Sequence, residues 1–217
     1  MNWLSRLAAS FRELAPVDET RWVMLDVETS GLDIQRDRLL AIAAIAMRVN
    51  WTDKTLTVDL GDSFEAVLQQ DEVSSKDNIL LHGIGAQRQR SGIPAQAALR
   101  AFQTFVGSSP LLAFHAAFDQ AMIGRYIRQW LAAELPNPWL DIDHLCAVTY
   151  EHVRARALDD WMTHFGIKCA VRHQAAADTL AECELLQRVW PRVAKQCASW
   201  RDVQRLAAQQ RWIARAR

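Results

Sequence analysis

The chain has 217 residues, 50% hydrophobic and 23% charged, and its 25 basic and 25 acidic side chains cancel. That apolar fraction excludes a disordered chain, no apolar run reaches the roughly 18 residues of a membrane span, and a neutral chain is no strongly basic nucleic-acid-coating protein. The length fits one domain with a sizeable core. The zero hides a gradient: from Arg188 onward there are eight basic residues and one acid, so the last thirty residues carry +7 and the rest −7. Such asymmetry suits either a polyanionic partner or a solvated helix face.

An amphipathic helix is expected over residues 3–14, with Trp3, Leu7, Phe11 and Leu14 on one stripe ahead of Pro16. Residues 21–27 form a near-continuous apolar run, the pattern of a central strand covered on both faces. Residues 38–49 fit helix or strand by periodicity; the polar stretch before them and the turn after them favour strand. Residues 55–60 alternate as a third strand, with a continuation over 64–68. Helices are then expected over 94–106 and 119–133, with short strands at 111–115 and 139–141 before and after the second. Two short helices around 143–153 and 158–165 follow, then a long one over 174–190 that Pro191 interrupts, and a basic helix over 199–215. A three-strand meander followed by β-α units gives an α/β mixed sheet with helices on both faces.

Four cysteines show no paired spacing, and the first residues lack a signal peptide's apolar core, so reduced thiols and a cytoplasmic location are expected.

The informative residues are acids inside apolar patterns. Asp26 and Glu28 end the first strand and, at i and i+2, share a face. Neighbouring carboxylates repel, and burying them is costly unless cations neutralise them, which points to a hard divalent metal; a strand emerging into solvent is the plainer account. Asp119 opens a helix, where a capping or dipole role competes with metal ligation. Asp178 lies in an alanine-rich helix five residues after His173, and its face continues through Glu182, as a solvated face would.

Taken in order, these motifs resemble the DEDDh family of 3′→5′ exonucleases, especially the epsilon-like proofreading subunits of bacterial DNA polymerase III. The family's DxETxG matches Asp26-Val27-Glu28-Thr29-Ser30-Gly31, its aromatic-Asp pair matches Phe118-Asp119, and its HxxxxD matches His173 and Asp178. One position departs: Ala116 stands where the family usually has Asn.

The resemblance covers residues 21–190 and implies an RNase H-like fold with a five-stranded mixed sheet. It divides the chain into an N-terminal helix over 1–20, the exonuclease domain over 21–190 and a basic C-terminal helix over 191–217, packed on the domain or extending from it. It implies two divalent ions, Mg²⁺ or Mn²⁺, on Asp26, Glu28, Asp119 and Asp178, with His173 as general base. Thr29, Leu32, His82 and Phe118 are the implied substrate-binding residues, with a buried aromatic the plainer account of Phe118 and a structural histidine that of His82. Asp141 is left out as a ligand and His115 is read as structural. The implied activity is release of nucleoside 5′-monophosphates from the 3′ end of DNA, single-stranded or frayed, in proofreading or repair. A DNA polymerase subunit is the candidate protein partner, and no membrane is involved. The alternatives are an RNA or oligoribonucleotide exonuclease, and a non-catalytic polymerase-associated adaptor. Trp200, Leu206, Trp212 and Ile213 offer the last helix as a docking surface, and its arginines offer phosphate contacts.

Overall fold

The computed structural model describes residues 16–212, so the helix expected over 3–14, and the last residues of the C-terminal one, lie outside the described part. Five strands form one sheet in the order β3-β2-β1-β4-β5. They are β1 (Arg21–Thr29), β2 (Leu39–Asn50), β3 (Thr55–Val67), β4 (Leu111–Ala113) and β5 (Trp139–Asp141). The first three pair antiparallel as a meander, while β4 runs parallel to β1 and β5 parallel to β4. The ambiguous run at 38–49 is a twelve-residue strand, and the two segments expected for the third strand are one. A bulge joins them: Ile45 pairs with Ser63 while Ala46 pairs with Asp59.

β1 is apolar on both faces because both are covered. Trp22 and Met24 join one core, and Val23, Leu25 and Val27 the other. Helices α1 (Lys76–His82), α2 (Ala86–Arg90), α3 (Ala95–Val106) and α4 (Ala117–Leu131) come before β5. Then follow α5 (Ile142–Thr149), α6 (Leu158–Phe165), α7 (Ala175–Ala194) and α8 (Trp200–Ala208). The second core is closed by α3 and α4, the first by α5 to α8. No described helix is long and apolar enough to cross a membrane.

Three expectations are corrected. Pro191 does not stop α7, which continues to Ala194. Proline removes one ladder donor, but its fixed φ suits a helix, and Trp190, Val193 and Ala194 are buried on either side of it. Helices α1 and α2 have no counterpart in the sequence reading, since seven and five residues are too few to establish a period. The C-terminal helix does not offer its apolar face to another chain: Trp200 and Leu206 are 3% and 5% exposed within this domain, leaving Trp212 exposed and Ile213 outside the described residues.

The abundance of tryptophan has a structural outlet here. The ring of Trp22 lies 5.0 Å from Trp200, 5.5 Å from Trp190 and 5.9 Å from Trp51, each edge-on. The Trp200 backbone N–H donates to Glu19 Oε2 at 2.9 Å, joining the segment before β1 to α8, and Lys54 Nζ donates to Cys197 O at 2.7 Å, joining the β2–β3 turn to the segment before α8. All four cysteines are free. Trp200→Ala should therefore cost about 3–5 kcal/mol in urea unfolding, whereas Trp212→Ala should stay within about 0.5 kcal/mol of the parent. Equal, small effects would show that α8 is not integral to the domain.

Candidate active site

The acids gather where β1 ends. The register slips between Glu28 and Thr29, so pairing with β2 loosens just beyond the second acid. Asp26 and Glu28 face Ala43 and Ala41 across the ladder, in a strand that also carries Ala44 and Ala46. Small side chains let α7 lie close on the sheet: Thr179 Oγ1 is 3.5 Å from the Ala43 carbonyl. That approach delivers Asp178. Asp26, Glu28 and Asp178 each present a carboxylate oxygen, all within 4.8 Å of one another.

Asp119, in the first turn of α4 and 4% exposed, lies within electrostatic range of Asp26 but outside the group of three whose oxygens fall within 4.8 Å of one another. It is not the cap of that helix: the N-cap is Ala116, which makes no side-chain bond. Ala116 is itself buried in the apolar core under α4, where a carboxamide would need a partner of its own.

Burial of the acids and their mutual repulsion hold their protons on. Asp26 is pushed up to about 8 by burial and then by Asp178. Glu28 rises to about 9 by burial, then Asp26 and Asp178. Burial followed by the charge of Asp26 raises Asp119 too.

Beyond the expected set, the structure brings in residues that the sequence reading missed. Glu182 is 2% exposed, which excludes the solvated face that competed with a metal role for this stretch, and its Oε2 accepts from the Phe114 N–H at 3.3 Å. Burial, then Asp26 and Asp119, raise its pKa. The signal was available: Glu182 stands in the stripe of Ala181, Leu185, Leu186 and Val189, all of them core residues. Arg172, next to His173, pairs with Asp178 and, through Nε at 2.6 Å, with Asp159. Burial disfavours its charge, but these two carboxylates outweigh that and raise its pKa.

His173 is exposed, adopts φ +61° and donates its backbone N–H to Asp178 Oδ2 at 2.9 Å. Thr29 is buried and its hydroxyl donates to Gly31 O at 2.7 Å, whereas Leu32 is 84% exposed. Between them Gly31 is required, because a Cβ there would sit 2.5 Å from Asp37 Oδ2. That carboxylate is fixed, its oxygens accepting from Ser30 Oγ and Asp33 N, both at 2.8 Å.

His82 is 3% exposed, with both ring nitrogens engaged inside the chain. Ile84 N–H donates to Nδ1, so Nε2 carries the proton and donates to Asn78 Oδ1 at 2.7 Å. Asn78 Nδ2 in turn donates to Thr29 O at 2.9 Å. His82 thus sits behind Thr29 rather than beside it in the cleft, and Asn78 is a further residue the sequence reading missed. Phe118 is half-buried against the core under α4. Asp141 caps α5, accepting from Asp143 N at 3.0 Å and from the backbone N–H of His115, whose side chain is exposed, at 3.1 Å.

All these donors are carboxylate oxygens, the hard ligands that suit Mg²⁺ or Mn²⁺, and the buried repulsion among them is what a divalent cation relieves.

Comparison with known proteins gives the family and the fold. Residues 23–186 match the model of the exonuclease family (RNase_T), and the chain belongs to that family. It is 25% identical over 174 residues to the PolC-type DNA polymerase III of Halalkalibacterium halodurans, covering 80% of this chain and 12% of that protein. To the Bacillus subtilis counterpart it is 25% identical over 187 residues, 86% of this chain and 12% of that one. The chain therefore spans only a small part of these relatives. Among solved structures, E. coli exonuclease I in complex with a dA16 oligonucleotide superposes with a TM-score of 0.64 at 16% identity, covering 82% of this chain and 43% of that one. Cell-death related nuclease 4 gives 0.64 at 12% identity, covering 78% and 63%. The five-stranded RNase H-like fold expected from the motifs is the fold observed.

The raised acids set a pH dependence for the metal-free protein. The unfolded chain loses these protons near pH 4 and the folded chain only near pH 8–9, so the folded state binds more protons in between and stability falls as pH rises. In chelator, the melting temperature should drop by roughly 10 °C or more from pH 5.5 to pH 8, and millimolar Mn²⁺ should flatten that slope. A metal-free protein that gains stability over this range would contradict the geometry of the cluster.

Proposed function

We propose that this exonuclease-family chain is a divalent-metal-dependent 3′→5′ exonuclease that hydrolyses the terminal phosphodiester of DNA and releases nucleoside 5′-monophosphates. The observation that carries the reading is the triad of Asp26, Glu28 and Asp178 within 4.8 Å, with buried Asp119 in electrostatic range of Asp26 and exposed His173 leading into Asp178. Asp26, Glu28, Asp119 and Asp178 would hold two Mg²⁺ or Mn²⁺ ions, which neutralise the phosphodiester and supply Lewis acidity.

The chain's own residues do the rest. His173 accepts a proton from the attacking water at a ring nitrogen, work suited to imidazole near neutral pH. The new bond joins water oxygen to phosphorus and the bond to the upstream 3′ oxygen breaks, so the phosphate leaves on the released nucleoside's 5′ side. Thr29 and Leu32 receive the terminal nucleotide, Leu32 by wedging its exposed side chain against the base and Thr29 through a loop that Asn78 and His82 brace. Phe118 is the remaining stacking surface.

DNA is favoured because the relatives are DNA polymerases and the structural neighbours include exonuclease I bound to an oligodeoxynucleotide. The same relatives support proofreading or repair, with a polymerase subunit as partner, and free thiols support a reducing, cytoplasmic setting. A non-catalytic adaptor is the weaker alternative, since its docking face on α8 is buried in the domain.

The test is a panel of labelled single-stranded DNA, duplex DNA and RNA of one sequence, with Mn²⁺ or Mg²⁺. Single-stranded DNA should be shortened from its 3′ end to mononucleotides; degradation of RNA alone would replace the DNA reading, and no turnover with any substrate would favour the adaptor. Asp26→Ala should abolish turnover while the fold persists. His173→Ala should lower kcat by about 10²–10⁴ with Mn²⁺ binding retained, and an unchanged rate would remove it as the base.

A further inference from the structure

Four carboxylates and a histidine leave one buried acid of the cluster without a task. Glu182 lies one helical turn beyond Asp178 on α7 and so shares its face. It is 2% exposed, within electrostatic reach of Asp26, Asp119 and Asp178. Among the described residues no cationic side chain forms a salt bridge with it; its contact is the 3.3 Å bond from Phe114 N–H. A packing role would be filled better by an apolar residue, because an acid buried without a cation is destabilising.

The charge count around it supplies the reason. Arg172 pairs with Asp178 and neutralises one negative charge of the cluster. Asp26, Glu28, Asp119 and Asp178 with Arg172 amount to −3, and Glu182 restores −4, the charge that two divalent ions cancel.

We propose that Glu182 is a charge-compensating acid beside the metal centre, outside the group of Asp26, Glu28 and Asp178 whose oxygens lie within 4.8 Å of one another, and that it replaces the negative charge that Arg172 neutralises on Asp178. The inference rests on the two-ion exonuclease reading and adds to it a residue and a compensating pair, Arg172 and Glu182. Glu182→Gln keeps an oxygen to accept from Phe114 N–H and nearly the same volume while removing the charge, so it separates electrostatics from packing.

Mn²⁺ binding to the full chain, followed by electron paramagnetic resonance and calorimetry, reads this without turnover. The parent should bind two ions. Glu182→Gln should bind the first as the parent does and the second about 10- to 100-fold more weakly. Adding Arg172→Ala to Glu182→Gln should recover most of that loss, because it returns the missing negative charge; a purely structural glutamate predicts no such rescue. Melting curves in chelator should show Glu182→Gln at least as stable as the parent, since a buried repulsion is gone. Equal affinity for both ions in the parent and Glu182→Gln overturns the inference alone. A parent that binds no Mn²⁺ overturns the metal reading itself, and this inference with it.

Discussion

Repulsion among carboxylates at the half-buried end of β1 is the constraint to which the surrounding structure answers. Two unit charges 4.8 Å apart interact by about 1 kcal/mol in water and about 3.5 kcal/mol at the effective dielectric of a protein. Three such pairs among Asp26, Glu28 and Asp178 approach about 10 kcal/mol, comparable with the roughly 5–15 kcal/mol that holds a whole domain folded. Fully ionised and without cations, the cluster would consume most of the stability of the domain. Protons relieve it up to about pH 8, Arg172 relieves it in part at any pH, and divalent cations relieve it best. A site built this way is poised for cations, and the phosphodiester they would attract needs no basic patch.

The fold brings these charges together through small residues and secure anchoring. Alanines in β2 bring α7 against the sheet, so that Asp178 meets Asp26 and Glu28 although about 150 residues separate them in the chain. The parallel pairing of β1 with β4 points the start of α4 at the same spot and delivers Asp119. Beyond the end of β1, Asn78 and Asp37 hold the loop from Thr29 to Arg38. Its one prominent apolar side chain, Leu32, is left pointing outward. Rigid support behind and an exposed tip in front is the division of labour that substrate positioning requires.

Much of this was legible in the residues. Asp26, Glu28, Asp119, His173 and Asp178 stood out because acids at the ends of apolar runs conflict with burial, and their order matched a known motif set. The meander and the β-α units followed from periodicity. What escaped were residues whose significance is set by distant neighbours. Glu182 looked solvated because only its own helix was considered; the sheet and the β4–α4 turn that enclose it come from elsewhere in the chain. Asn78 sits on a helix of seven residues, too short to announce itself. Pro191 misled for a related reason: local propensity favours a stop, and tertiary burial of Trp190 and Val193 overrules it.

The same logic redistributes the charge gradient. The basic C-terminal stretch is anchored by its apolar side: Trp200, Val203 and Leu206 enter the tryptophan-lined core, and Arg201 and Arg205 are left at the surface. Some of the upstream positive charge is used structurally, as where Arg192 lies 3.8 Å from the ring centre of Tyr150 and donates to Thr149 O at 2.5 Å. A negative body and a positive terminal helix need not share one ligand. Long-range attraction of a polyanion belongs to exposed arginines and is screened within about 8 Å at physiological salt. Attraction of a cation belongs to the carboxylate cluster at the end of β1, where the lower dielectric makes each charge count for more. Neutrality over the whole chain is therefore the sum of two opposed local fields, a buried negative one suited to cations and an exposed positive one suited to phosphate.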